Sequence, residues 1–280
     1  MALDPTTQGF QTRPYVLDYD WKTVVLYALG IGATRDELDF LYEGRGPRVY
    51  PTFGVVAAYA PVNELFLRSG CDMTRLVHGA QSMRFHRPIP AAAKLETVGT
   101  IKGIYDMKKL AQVVFETKTT LSGEPCFDTE WQLLVMDAGG FAGPRPPKSE
   151  IVRPPSDRPA DFVSEMKTST EQALLYRLSG DHNPLHADPE FARVVGFDQG
   201  PILHGLCTFG YLARAVVAQA CGGDERRLKA LSGAFRKPVW PGDTIRVQGH
   251  RVSHERVVLE TFAGDRPDAV ISNSWAEIAS

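Results

Sequence analysis

Phe85-His86-Arg87-Pro88-Ile89 and Phe235-Arg236-Lys237-Pro238-Val239 are one phrase written twice, at an offset of 150 residues. The same offset links Pro51 to Pro201, each opening an apolar helix-like stretch, and Gly30 to Gly180, each closing a short helical run that contains a tyrosine. Three anchors at a single shift point to an internal duplication. Within each half the helical patterns come first. Strand-like runs rich in Val, Ile, Thr and aromatics follow, at 94–107, 111–121 and 126–136 and again at 244–252, 257–262 and 270–278. Helices and strands segregated in this way predict an α+β protein, each half an antiparallel sheet covered by helix.

Between the halves, Gly139-Gly140-Phe141-Ala142-Gly143-Pro144-Arg145-Pro146-Pro147 opens a segment that continues through Pro154, Pro155 and Pro159. Such Pro/Gly density reads as a semi-extended connection. The expected organisation is therefore an N-terminal repeat over 1–140, a linker over 141–160 and a C-terminal repeat over 161–280. At 280 residues, 43% hydrophobic and 23% charged, the chain is long enough to bury a sizeable core. A net charge of -2 argues against a general nucleic-acid binder. No apolar run approaches the roughly 20 residues needed to span a bilayer, and no signal-peptide pattern opens the chain. Cys71, Cys126, Cys207 and Cys221 form no C-x-x-C pair and read as reduced, buried thiols. The last residues, Glu277-Ile278-Ala279-Ser280, are not a peroxisomal tripeptide. These features lead to the expectation of a cytoplasmic protein, with a peroxisomal setting open if the source is eukaryotic.

Chemistry concentrates in Ser179-Gly180-Asp181-His182-Asn183-Pro184-Leu185-His186. The run 169–178 before it has a capping-box start and helical spacing, Gly180 ends it, and Pro184 opposes a restart. A carboxylate, an amide and an imidazole are thus presented on a tight loop. The offset places Ile31, Ala33 and Asp36 opposite Asp181, Asn183 and His186, so the polar set exists in the second half only. Downstream, Asp188-Pro189 reads as a helix cap. Gly200-Pro201-Ile202-Leu203-His204-Gly205 leads into an apolar helix, with His204 and Gly205 expected in its first turn, where free N–H groups favour a polarised oxygen. Acid, base and helix-end donor suit the addition of water across a double bond conjugated to a carbonyl. By themselves the residues leave other readings open. Asp-x-Asn also makes a structural Asx-turn. Asp181, His186 and Asp188 could ligate a metal, although their spacing matches no standard pattern. Ser179 lacks a nucleophile-elbow setting.

The run 176–186, with Gly196-Phe197-Asp198 and 201–210 after it, resembles the type-2, (R)-specific enoyl-CoA hydratases of the MaoC-like group, above all the hydratase unit of the peroxisomal multifunctional β-oxidation enzymes. The similarity takes in Tyr27-Ala28-Leu29-Gly30-Ile31-Gly32-Ala33, Phe40-Leu41-Tyr42-Glu43-Gly44, Pro51-Thr52-Phe53-Gly54-Val55, Leu76-Val77-His78-Gly79, Arg236-Lys237-Pro238-Val239-Trp240-Pro241-Gly242 and Ile271-Ser272-Asn273, nearly the whole chain.

The resemblance implies a double hot-dog fold and hydration of trans-2-enoyl-CoA to (3R)-3-hydroxyacyl-CoA in fatty-acid or steroid side-chain β-oxidation. No metal or other cofactor is implied, and CoA arrives as part of the substrate. Asp181 and His186 become the acid/base pair, Asn183 orients the water or the pair, and the Gly205 N–H receives the thioester oxygen. His78, Gly79, His182, Pro184, Leu185 and Phe235 would line the substrate site, and Lys108 would meet CoA. Tyr105-Asp106-Met107-Lys108-Lys109 has one residue more than the family's Asp-Lys-Gly pattern, so Lys109 could serve instead. Arg236 and Lys237 suit the CoA phosphates. A homodimer is expected, with no nucleic-acid or membrane partner. The rivals are a 3-hydroxyacyl thioester dehydratase in lipid synthesis and a hot-dog protein that binds or hydrolyses acyl-CoA.

Overall fold

The computed structural model describes residues 3–279. Met1, Ala2 and Ser280, on which part of the targeting reading falls, lie outside the described residues. The first half contains β1 (Tyr15–Tyr19), α1 (Trp21–Gly30), α2 (Leu38–Leu41), α3 (Gly54–Ser69), β2 (Leu76–Phe85), β3 (Ala93–Asp106), β4 (Ala111–Leu121) and β5 (Glu124–Val135). The second repeats the order with β6 (Phe162–Lys167), α4 (Gln172–Tyr176), α5 (Pro189–Val194), α6 (Gly205–Gln219), β7 (Leu228–Phe235), β8 (Thr244–Arg251), β9 (Arg256–Ala263) and β10 (Ile271–Ile278). Residues 136–161 between them hold no helix or strand. All ten strands join one antiparallel sheet in the order β1-β3-β4-β5-β2-β7-β10-β9-β8-β6. The second five strands repeat the first five in reverse, as a local dyad requires. At the seam Ser82 pairs with Ser232, residues separated by the offset that links the two sequences.

Each half of the sheet curls around a helix. α3 buries Gly54, Ala58, Pro61, Val62, Leu65 and Ser69, the face that a 3.6-residue period aims at β3, β4 and β5. α6 is buried almost all round, from Leu206 through Val217, because the first half covers the side that its own sheet leaves open. The architecture is the expected double hot-dog fold.

The six strand-like runs read from sequence all become strands, with ends moved by one or two residues. Four strands escaped that reading. β1 and β6 are five and six residues long, so they precede the helices without leaving a long pattern. β2 and β7 carry Gly79, Gln81, Gly233 and several small residues, poor β-formers that fit because the flanking strands β5 and β10 crowd them. A Cβ on Gly233 would stand 2.6 Å from the Ile271 side chain.

The halves interlock at the end of α1. A helix leaves its last carbonyls without internal partners. Here the second half supplies them. Gln172 Nε2 donates to Leu29 O (3.0 Å) and Gly30 O (2.7 Å), Cys207 Sγ donates to Gly30 O (3.2 Å), and Arg214 Nη1 donates to Ile31 O (3.0 Å). Arg214 spends its remaining nitrogens on Glu37, which also accepts from Tyr50 Oη at 2.6 Å. Burial of this carboxylate opposes ionisation, but Arg214 and Tyr50 outweigh it and hold Glu37 below the usual carboxylate range. Gln172 also explains why the predicted capping box is incomplete. Its Oε1 takes the Ser169 N–H at 3.4 Å, but α4 begins only at Gln172 itself.

The contact leaves no spare room. An ideal Cβ on Gly210 of α6 would stand 2.2 Å from Ile31 Cγ2. Gly210→Ala should therefore cost about 1–3 kcal/mol through overpacking, read as a lower urea midpoint. An unchanged midpoint would mean that the halves separate at this contact without penalty.

Candidate active site

The loop after α4 is built from local hydrogen bonds. A 3-10 turn, Arg177–Ser179, is stopped by Gly180 at φ +122, a conformation that side chains rarely adopt. Asp181 Oδ1 accepts the Asn183 N–H (3.2 Å), and Asn183 Oδ1 accepts the Leu185 N–H (3.0 Å). The second bond caps a 3-10 turn, Pro184–His186, with Pro184 at its first position. The Asx-turn reading is thus correct, and it delivers His186 into a buried setting 8% exposed. Asp188 is a cap as expected, accepting from the Glu190 and Phe191 N–H groups.

His186 Nδ1 lies 2.8 Å from Ile202 O. A carbonyl only accepts, so Nδ1 carries the proton and Nε2 keeps its lone pair. Burial pushes the His186 pKa below its ordinary value, with the Asp181 carboxylate and the Ile202 bond pulling the other way. His204 stacks on His186 with centroids 3.7 Å apart and planes at 29°. Ligand atoms of Asp181, His186 and His204 lie within 4.8 Å of one another. The face-to-face stack sets the two imidazole lone pairs side by side rather than converging, a poor arrangement for one ion.

Gly205 is the first residue of α6, so its N–H has no acceptor within the helix and sits at the positive end of the dipole. The segment before it is pinned by Leu203 N donating to Val239 O at 2.7 Å. A Cβ on Gly205 would stand 3.4 Å from the Phe235 ring, which flanks the amide.

The first half walls the site. Phe235 meets His78 edge-on at 4.9 Å, and His78 stacks on Trp131 of β5 at 5.2 Å. Trp131 meets Tyr59 of α3 at 5.9 Å. Tyr59 Oη stands 3.3 Å from Tyr176 Oη, and the Tyr176 ring is 4.9 Å from His204. The rings run from the Gly205 amide round to the imidazole pair. Burial pushes the Tyr59 hydroxyl well above its ordinary pKa, with the Asp181 charge adding to the effect. Burial takes His78 down to about 4. Gly79 sits at a bulge where the β2–β5 register shifts between His78 and Ala80.

Of the residues singled out in the sequence, Asp181, His186, Gly205, Phe235 and His78 meet at this site, and Gly79 adjoins it. Asn183 holds the loop through its oxygen, and Leu185 is half-buried beside it. His182 and Pro184 are exposed. Arg236 and Lys237 follow Phe235 on the surface. Arg236 Nε donates to Ser272 Oγ (2.9 Å), and Lys237 pairs with Asp268 at 3.4 Å. His78, Leu133, Val113 and Ile104 form one row across four strands, and exposed Lys108 lies four residues beyond Ile104 at the hairpin tip. Its φ of +72 is held by a 2.7 Å bond from its N–H to Asp106 Oδ1. Tyr59, Trp131 and the role of Tyr176 were missed. Tyr59 and Trp131 sit in an apolar helix and a strand, where an aromatic residue signals only core.

In the first half, Ile31, the counterpart of Asp181, is fully buried against Gly210, and Ala33 is buried as well. Asp36, opposite His186, is exposed and among the described residues pairs only with Arg35, at 4.0 Å. Of the three, Ile31 serves the contact between the halves.

The molecule is a double hot-dog with one furnished and one empty half. Residues 152–273 match the MaoC-like domain, and residues 17–137 match the MFE-2 hydratase 2 N-terminal domain. The chain is 38% identical to the 3-hydroxyacyl-thioester dehydratase Y of Mycobacterium tuberculosis, over 93% of this chain and 92% of that protein. It is 37% identical to the peroxisomal enoyl-CoA hydratase 2 of Arabidopsis thaliana, over 91% and 88%. It is 36% identical to the mouse peroxisomal multifunctional enzyme type 2 over 96% of this chain, but spans only 38% of that enzyme's length. A MaoC-like dehydratase from Phytophthora capsici superposes with a TM-score of 0.88 at 28% identity, covering 100% of this chain and 98% of that one. The chain belongs to the MaoC-like hydratase 2 family.

One consequence concerns proton affinity at the site. His186 should titrate below pH 6.5 in an NMR titration, and Asp181→Asn should move it lower still, because the carboxylate is what raises it. A higher value in the variant would mean that the carboxylate does not act on this imidazole.

Proposed function

We propose that the chain hydrates trans-2-enoyl-CoA to (3R)-3-hydroxyacyl-CoA in β-oxidation. The observation that carries this reading is the meeting of Asp181 and His186 with the free amide of Gly205, inside a wall of aromatic rings from both halves. Water attacks the β-carbon as its proton is taken, electron density moves onto the thioester oxygen, and a proton reaches the α-carbon. His186, with Nε2 bare, and Asp181 divide the two proton transfers. The Gly205 N–H stabilises the developing negative charge at the helix end. Asn183 keeps its amide N–H groups for water while its oxygen holds the loop. The apolar wall takes the acyl chain, and Lys108, Arg236 and Lys237 meet the CoA phosphates. No metal or other cofactor enters the scheme.

The Mycobacterium tuberculosis relative, named for dehydration, favours a second reading in which the same site runs backwards on a 3-hydroxyacyl thioester. Rates in both directions on CoA and carrier-protein thioesters separate the two. A homodimer covering the open edges at β1 and β6 completes the reading. Among the described residues no helix is long and apolar enough to cross a membrane. All four cysteines are free and buried, which supports a cytoplasmic setting. A peroxisomal setting, as in the name of the Arabidopsis relative, is the alternative.

Asp181→Ala and His186→Ala should each lower crotonyl-CoA hydration by about 10²–10⁴-fold while the fold survives. Gly205→Pro is a cleaner probe of the oxyanion donor. Proline is welcome at the first position of a helix, and His204 already has the extended ψ of 136 that a following proline requires. Loss of that one N–H should lower kcat by about 10²–10³-fold. Full activity in any of the three would remove that group from the mechanism, and full activity in both alanine variants would end the hydratase reading.

A further inference from the structure

The proton-transfer scheme leaves His204, a buried imidazole at the site, unused. His204 is 1% exposed, and its Nε2 lies 3.2 Å from the backbone oxygen of Asp181. That oxygen can only accept, so the His204 proton is on Nε2. Its Nδ1 is buried and has no partner among the described residues. His186 has the opposite arrangement, with its Nδ1–H on Ile202 O. Each ring is therefore anchored on the backbone segment that carries the other, and the two rings lie face to face between those anchors. The two segments bear the groups that move the protons and receive the charge, Asp181 and His186 on one and the Gly205 amide on the other.

We propose that His204 is a positioning residue for hydration: its Nε2–H clasps the Asp181 carbonyl and fixes the acid/base loop against the Gly205 amide. This rests on the hydratase reading and adds to it the residue that sets the spacing. His204 directly precedes Gly205, so a shift of its ring moves the amide that receives the thioester oxygen. A purely space-filling role fits poorly, because a phenyl ring would fill the same volume without leaving a buried nitrogen unpaired. Burial, and then the neighbouring His186, hold the His204 pKa well below its ordinary value, so the ring stays neutral beside an imidazole that must accept a proton.

Two substitutions separate the donor from the ring. His204→Gln keeps an N–H donor of similar reach and loses the ring, whereas His204→Phe keeps the ring and loses the donor. With crotonyl-CoA, His204→Phe should lose about 100-fold in kcat with little change in KM, the scale of a small misplacement of reacting groups. His204→Gln should recover most of that loss. Equal losses, or a phenylalanine variant more active than the glutamine one, would overturn the proposal. Thermal melts of both variants accompany the kinetics. Should either fail to fold, ¹⁵N shifts of the ring nitrogens in the unaltered protein decide: opposite tautomers, Nε2–H on His204 and Nδ1–H on His186, are expected, and matching tautomers would overturn it. An unaltered protein that hydrates no enoyl-CoA would strike the hydratase reading instead, and the tautomers would still be readable.

Discussion

Three consecutive carbonyl groups at the end of α1 hold this molecule in its working form. In a solitary helix Gly30 and Ile31 would leave their oxygens facing water, and Leu29 would keep only the local Gly32 N–H. In this chain they accept from Gln172, Cys207 and Arg214 of the other half. Because these donors are buried, losing an acceptor would leave each one desolvated without compensation, which costs more than the bond itself contributes. The two halves are thereby bound at the root of the loop that carries Asp181, since Gln172 begins the short helix leading into that loop.

That arrangement gives the duplication its asymmetry. In the first half the position equivalent to Asp181 lies at the clasp, where Ile31 fills the notch over Gly210. An ionisable group there would be buried against apolar atoms without a partner. The second half keeps its polar loop because that loop faces the aromatic wall contributed by Tyr59, His78 and Trp131. The division is physical: one copy of the loop became interface, and the other became site, roofed by its neighbour. The roof also acts electrostatically, since excluding water lowers the proton affinity of His186 and His204 and strengthens the pull of the Gly205 amide on a nearby oxygen.

Much of this was legible along the chain. The offset of 150 residues is visible in the two Phe-x-x-Pro phrases, and it reappears as the pairing of Ser82 with Ser232 at the centre of the sheet. The long strands announce themselves by β-branched and aromatic residues. Asp181, His186 and Gly205 stand out because Gly180, Pro184 and Pro201 break the chain around them. What stayed hidden has a common cause. β2 and β7 look unlike strands because small residues there answer to crowding from the flanking strands β5 and β10, which local propensity does not register. Tyr59 and Trp131 read as core because nothing local distinguishes an aromatic ring facing a reaction site from one facing another side chain. The resemblance implies that Asn183 orients the water or the acid/base pair, and the structure adds that its oxygen caps the turn that presents His186.

The sequence by itself determined the repeat, the fold class, the loop and the identity of the groups able to move protons, because those follow from spacing, backbone restriction and side-chain chemistry over short stretches. Only the tertiary structure decided which tautomers His186 and His204 hold, which ring lies on which, and that the first half encloses a site it does not furnish. Those facts depend on where carbonyl oxygens and ring faces from distant segments come to rest, and no local pattern in the chain specifies that.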